Sequence, residues 1–238
     1  MKVDTPVGPS EGDSKTSGAV LRRMLQVVVT YLVLAVLLFC SSGRLNWIWA
    51  WAYLGAGLGL LVINAVILPA ELIAERGHPG DNVKGWDRLL ATLTGLPTLG
   101  VPIVAGLDAR FGWSPPLAPG IHLTGLALFA LGQGLFTWAM ASNRYFSTAV
   151  RIQMDRGHTV ATGGPYRYVR HPGYAGFVVS YLGMALALGS LWAILPAVLI
   201  ACPLVVRTVL EDRTLQDELP GYRDYAQRVR YRLLPGIW

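Results

Sequence analysis

The stretch YAGFVVSYLGMALALGSLWAILPAVLIACPLVV, residues 174–206, decides the architecture. It is apolar throughout and is interrupted only at Gly189-Ser190, a pair that favours a turn. Read as one long helix it crosses a bilayer once; read as two runs, 174–188 and 191–206, it is a tight helical hairpin that crosses twice. Upstream, four runs are long and apolar enough to cross as helices, 20–40, 45–68, 89–107 and 121–141, each near the length of about 18 to 25 residues that a hydrocarbon core requires. Charge placement chooses between the options, because short cytoplasmic loops collect Lys and Arg. With the hairpin, both termini share one side and every Lys and Arg except Arg44 and Arg110 falls on that side. A chain without it would strand the C-terminal arginines, Arg207 to Arg232, on the opposite face. The hairpin is therefore the expected form.

Composition agrees. Of 238 residues, 53% are hydrophobic and 14% charged, with a mean hydropathy of +0.44, more apolar than a soluble core of this size needs. The surplus must face lipid. The expected fold is an all-α integral membrane protein with about six transmembrane helices, the last two a hairpin, and a C-terminal amphipathic helical segment. The net charge of +6 does not point to nucleic acid, because the basic residues sit between apolar runs and form no single stripe. Cys40 and Cys202 lie inside those runs, at no spacing that suggests a disulfide or a metal site. Residues 1–19 are rich in Gly, Ser, Pro and Thr, and are expected to form a disordered cytoplasmic tail. The run at 20–40 is long for a signal peptide, lacks a small-x-small cleavage site, and has bulky Phe39 before Cys40, so it reads as a retained span. This gives a four-span region at 20–141 and a chemically richer region at 142–238, in a multi-pass protein with both termini cytoplasmic. Gly55, Gly57 and Gly59, in mid-span, are expected to let helices approach closely.

Polar and ionisable residues concentrate after Asn143, in a stretch that reads QMDRGHTVATGGPYRYVRHPGYAG from Gln153. Gly163-Gly164-Pro165 signals a turn, and Pro172 suits the first turn of a helix beginning near His171. Such a start leaves free backbone N–H groups at the membrane surface, which suit a carboxylate. His171 and Tyr174 project from neighbouring positions of that turn, where they either frame a ligand or serve as cap and interface anchor. Arg207 and Glu211 share a helix face at the membrane boundary, either in a cavity or as a plain intrahelical ion pair. At the end of the chain, Leu219, Tyr222, Tyr225 and Val229 repeat at helical spacing opposite Arg223, Asp224, Gln227 and Arg228, the pattern of an amphipathic surface helix that acts as a lid or an anchor.

The ordered set from Gln153 through Arg207 and Glu211 resembles the isoprenylcysteine carboxyl methyltransferase family, including its bacterial and archaeal members, and more distantly the phospholipid N-methyltransferases. The resemblance covers about 143–238 and makes no claim on the first four spans. It implies an S-adenosylmethionine-dependent membrane methyltransferase. By the resemblance, Gln153, His158, Thr159, Val160, Ala161, Tyr166, His171, Pro172, Gly173, Tyr174 and Glu211 contact S-adenosyl-L-methionine, and Arg207 contacts substrate and acts in catalysis. The expected acceptor is a lipophilic small molecule or prenylated substrate drawn from the bilayer, with membrane lipids as surroundings, and the expected site is a bacterial inner membrane. Methyl transfer from a sulfonium is an in-line displacement, so such a protein chiefly aligns donor and acceptor and excludes water. A carboxylate acceptor is already ionised at neutral pH, and Arg207 could hold it through a bidentate pair. Two other readings remain: a phospholipid or amine N-methyltransferase, and an NADPH-dependent enzyme like the membrane sterol reductases, which share an Arg-His-Pro-x-Tyr element. Against the latter, a bare hairpin joins that element to Arg207 and Glu211.

Overall fold

A computed structural model describes residues 11–77 and 83–238, with side chains from Ser17 onward. All regular elements among the described residues are helical. The apolar helices are α1 (Glu11–Ser42), α2 (Ile48–Ile67), α4 (Gly85–Phe111), α5 (Pro119–Ala141), α6 (Pro172–Ala187) and the consecutive pair α7 (Ile194–Leu199) and α8 (Ala201–Glu218). A short helix, α3 (Ala70–Gly77), follows α2, and α9 (Tyr222–Arg228) follows α8. Helix α1 begins upstream of the apolar run, inside the stretch expected to be a tail; residues 1–10 of that stretch lie outside the described residues.

Among the described residues, five helices are long and apolar enough to cross a membrane, the last formed by α7 and α8 together across Ile194–Glu218, and α6 is a shorter apolar helix. The chain is an integral multi-pass membrane protein, as the hydropathy required. The outward faces are apolar: on α1, Leu25, Val29, Leu32 and Val36 are all exposed, as lipid-facing side chains should be. The hairpin forms where the sequence breaks. Gly189 adopts φ +76°, and a Cβ there would also strike the ring of His122, so the turn needs glycine on both counts. Ser190 then accepts the N–H of Ala193 at 3.0 Å and donates to the buried carboxylate of Asp108 at 2.5 Å, pinning the turn to α4.

Helices α5 and α6 make the tightest pair, and glycine is the cause. A Cβ added at Gly125, Gly132 or Gly183 would fall on the backbone of the other helix, and one at Gly176 on that of α5. Close backbone approach of this kind holds membrane helices together where lipid offers no hydrophobic drive. The mid-span glycines of α2 do less than expected: Gly55 and Gly59 face open space, and only Gly57 meets a neighbour, the hydroxyl of Tyr31. Since α6 leads out of the polar loop at 142–171, its seating on α5 fixes where that loop enters the membrane.

Replacing Gly183 by Ala should destabilise the fold by about 1 to 3 kcal/mol through overpacking, whereas Gly134→Ala, on the same pair but facing open space, should not. The thermal unfolding midpoints of the two variants in detergent check this; equal midpoints would contradict the packing.

Candidate active site

The loop at 142–171 is short of regular structure, so its shape comes from side-chain hydrogen bonds. Gln153 is almost fully buried. Its amide donates to the Tyr145 carbonyl at 2.7 Å, and its Oε1 accepts from Arg156 at 2.6 Å. Asn143 accepts the N–H of Tyr145 at 2.9 Å and reaches the Tyr166 hydroxyl at 3.4 Å. His158 lies 4.4 Å from the Tyr145 ring, centre to centre. Burial, with the nearby guanidiniums of Arg151 and Arg156, pushes the His158 imidazole down to about 4. It is therefore neutral at pH 7, and its Nδ1 accepts the Gln153 N–H at 3.2 Å.

The loop is clamped to the N-terminal half by acids the sequence reading left out. Glu75, on α3, accepts from Arg151 at 3.0 Å and lies 3.5 Å from Arg156. Asp87, buried in the first turn of α4, accepts the Val150 N–H at 2.9 Å. It also takes Arg207 in a bidentate pair at 2.6 and 3.0 Å. Arg207 gives a further bond to the Thr148 carbonyl at 2.9 Å, and its guanidinium lies 5.4 Å from the Tyr174 ring centre. So Arg207 is paired with Asp87 and not with Glu211, and the simple intrahelical pair does not form.

The third tie is at Asp212, whose side chain is fully buried. Arg170 grips it at 2.8 and 2.9 Å, Tyr222 donates at 2.9 Å, and Arg232 and Gln216 at 3.1 Å. The backbone of Arg170 and His171 meanwhile donates to the carbonyls of Tyr231 and Arg232 at 3.0 and 2.8 Å. The C-terminal segment is thereby fixed over the loop. Its apolar face, Leu219, Tyr222 and Tyr225, is buried against Tyr166, Val160 and Ala161, and Tyr225 donates to the Tyr166 carbonyl at 2.8 Å. Burial raises the hydroxyls of Tyr166, Tyr222 and Tyr225 well above the usual tyrosine range, so all three remain donors. The expected amphipathic segment is thus a cover packed on the loop.

These ties border an open cleft of about 100 Å³. Seven of the sequence-chosen residues line it: Gln153, His158, Tyr166, His171, Tyr174, Arg207 and Glu211. Tyr174 donates to Glu211 at 2.5 Å, and the His171 and Tyr174 rings lie parallel at 5.8 Å. His171 Nδ1 is 4.0 Å from Glu211 and its Nε2 is 3.5 Å from Asp212; the buried Nε2 has no hydrogen-bond partner. Thr159, Val160, Ala161, Pro172 and Gly173 do not line the cleft. Val160 and Ala161 pack under the C-terminal cover, and Thr159 is exposed; the N–H groups of all three meet no backbone carbonyl among the described residues. Pro172 opens α6 as expected, while Gly173 is pressed against the ring of Phe146. No cluster of His, Cys, Asp and Glu suited to a metal occurs among the described residues.

Comparison with known proteins follows the same region. Residues 121–219 match the family model described as phospholipid methyltransferase. The chain is 28% identical over 117 residues to a probable protein-S-isoprenylcysteine O-methyltransferase of Oryza sativa subsp. indica, covering 46% of this chain and 59% of that one. It is 39% identical over 66 residues to the protein-S-isoprenylcysteine O-methyltransferase of Schizosaccharomyces pombe, covering 27% of this chain and 28% of the other. It is also 31% identical over 121 residues to the cobalt-zinc-cadmium resistance protein CzcN of Cupriavidus metallidurans, covering 49% of each. The matched segment thus spans well under two thirds of each relative's length.

Two outcomes follow from the geometry. His158 has its folded value below the ordinary 6.5, so the unfolded chain takes up a proton that the folded chain resists; the stability it contributes is full above about pH 6.5 and is lost as pH falls towards 4. The unfolding midpoint of the natural chain should drop across that window more than that of His158→Gln, and parallel curves would refute the assignment. Asp212→Asn should cost about 3 to 5 kcal/mol by leaving Arg170 buried without its counter-charge, read as a large fall in the same midpoint.

Proposed function

We propose that this chain, whose C-terminal half belongs to the isoprenylcysteine carboxyl methyltransferase family, is a membrane methyltransferase that uses S-adenosylmethionine to methylate a lipophilic acceptor. The observation that carries the reading is the single cleft that gathers Gln153, His158, Tyr166, His171, Tyr174, Arg207 and Glu211 from the loop and two helices. S-adenosylmethionine, when bound, supplies an electrophilic methyl group on a sulfonium. The residues present suit it. Glu211 is a half-buried carboxylate with no arginine partner, able to accept ribose hydroxyls or offset the sulfonium charge. His171 and Tyr174 line the cleft beside it, with His171 Nδ1 4.0 Å from Glu211.

Arg207 and Glu211 would hold an acceptor lone pair in line with that methyl group, so that the methyl could be transferred as the sulfur leaves as a neutral thioether. A carboxylate acceptor needs no base, in keeping with a cleft whose ionisable groups are almost all paired. Arg207 would orient it, though not through a bidentate fork: Nε and Nη2 are committed to Asp87 and Thr148, which leaves Nη1 as the donor for substrate. Asp87 is then the residue that holds Arg207 beside the Tyr174 ring. The match of 121–219 to the phospholipid methyltransferase model keeps an amine acceptor as the second reading. The cleft lies on the side where basic residues gather, which supports a cytoplasmic setting for it and for both termini, and the bacterial type of the resemblance supports a bacterial inner membrane.

Titration of the detergent-purified chain with S-adenosylhomocysteine should give saturable binding where NADPH gives none; the reverse would favour a reductase. Glu211→Ala and His171→Ala should weaken that binding. Arg207→Ala should leave it nearly unchanged while lowering turnover of a lipid acceptor roughly tenfold to a hundredfold, the worth of one charged hydrogen bond. Loss of cofactor binding in Arg207→Ala with none in Glu211→Ala would reverse the roles.

A further inference from the structure

A second and larger cavity, of about 360 Å³, lies among α1, α2, α5 and α6, within the range of about 300 to 1,000 Å³ usual for small-ligand pockets. Most of its wall is apolar, with Leu34, Leu60, Phe129 and Phe177 among the lining side chains. At the end nearest the active-site loop stand two arginines, Arg23 of α1 and Arg76 of α3. Neither has a carboxylate partner among the described residues. Arg23 reaches only the Gln26 side chain at 3.4 Å, and Arg76 lies over the rings of Phe136 and Phe146 at 5.3 and 5.5 Å. The contrast with the cleft is sharp, for Arg151, Arg170 and Arg207 each hold an acid there. Burial, and the like charge of Arg23, also push the Arg76 guanidinium down to about 10, a penalty that an anion between the two would relieve.

Two guanidiniums at the mouth of an apolar cavity between spans match a lipid with an anionic head, the phosphate on the arginines and a chain among the helices. We propose that this cavity binds an anionic membrane phospholipid, its phosphate held by Arg23 and Arg76 and an acyl chain running between α2 and α5. The site is separate from the methyl-transfer cleft, since Phe146 forms part of the cleft wall and stacks under Arg76 on its other side. The inference stands whether or not the chain proves to be a methyltransferase.

The test is binding of short-chain phosphatidylglycerol, phosphatidylcholine and inorganic phosphate to the full detergent-purified chain, by native mass spectrometry and calorimetry. Phosphatidylglycerol should bind about thirtyfold more tightly than phosphatidylcholine, as two basic side chains at an anionic head imply. The double variant Arg23→Gln with Arg76→Gln should lose that preference, Arg76→Lys should keep most of it, and Arg22→Gln, exposed on the same helix, should keep all of it. Equal affinity for the two lipids, undiminished preference in the double variant, or full displacement by an equal concentration of inorganic phosphate would each overturn the proposal. Should the double variant fail to fold, the lipid ratio of the natural chain and the Arg76→Lys result decide the matter.

Discussion

The carboxylate of Asp212 is the constraint on which the active region depends. An ionised group with no solvent exposure is tolerated only when its lone pairs are met by donors, ideally charged ones. Here the donors come from separate segments: Arg170 before α6, Tyr222 of α9, Arg232 of the C-terminal segment, and Gln216 of α8 itself. Meeting that one charge therefore fixes the positions of the α6 start, the cover and α8 relative to each other. It also sets the direction of Glu211. Consecutive helical residues point about 100° apart, so with Asp212 turned into this network its neighbour is turned to the cleft, where it meets Tyr174.

A second constraint joins the halves of the chain. The loop at 142–171 would have little reason to hold one shape against the spans without Glu75 and Asp87, which reach it from α3 and α4. Each carboxylate serves more than one partner, so each couples two events: Asp87 shapes the loop at Val150 and aims Arg207, and Glu75 restrains both Arg151 and Arg156. The N-terminal spans are thus more than a membrane anchor. They supply the acids that make the loop and Arg207 a defined surface.

What could be read in the sequence, and what could not, follows from how far each interaction reaches along the chain. The hairpin break at Gly189-Ser190 and the α6 start at Pro172 are local, written in residue type and in charge placement, and both are where the sequence puts them. Of the ordered elements from Gln153 to Glu211, seven residues line one cleft while Thr159, Val160, Ala161, Pro172 and Gly173 do not. Asp87, Glu75 and Asp212 were illegible because their partners lie on other elements, at no fixed spacing; an acid at the edge of an apolar run looks the same whether it is solvated or clamps an arginine. The α5–α6 seam did leave a trace. Gly125 and Gly132, and Gly176 and Gly183, each sit two turns apart on one helix face, a pattern more telling than the tighter Gly55-to-Gly59 cluster, whose alternate spacing spreads its members around α2.

The arrangement also accounts for why a polar reaction should be housed among membrane helices. On the proposed reading, a charged, water-soluble methyl donor and a lipid acceptor cannot share a phase, so the reacting atoms would have to meet at a boundary that both can reach. In this fold the boundary is a wall of rings. Phe146 faces the cleft, and Phe136, packed edge-on against it at 5.4 Å between centres, faces the second cavity. On one side lie the paired charges and hydrogen-bonding groups of the loop, and on the other an apolar space bounded by spans. The rings keep the ionic cleft, already neutralised pair by pair, apart from the apolar cavity, a low-dielectric setting that would favour the proposed displacement from a sulfonium.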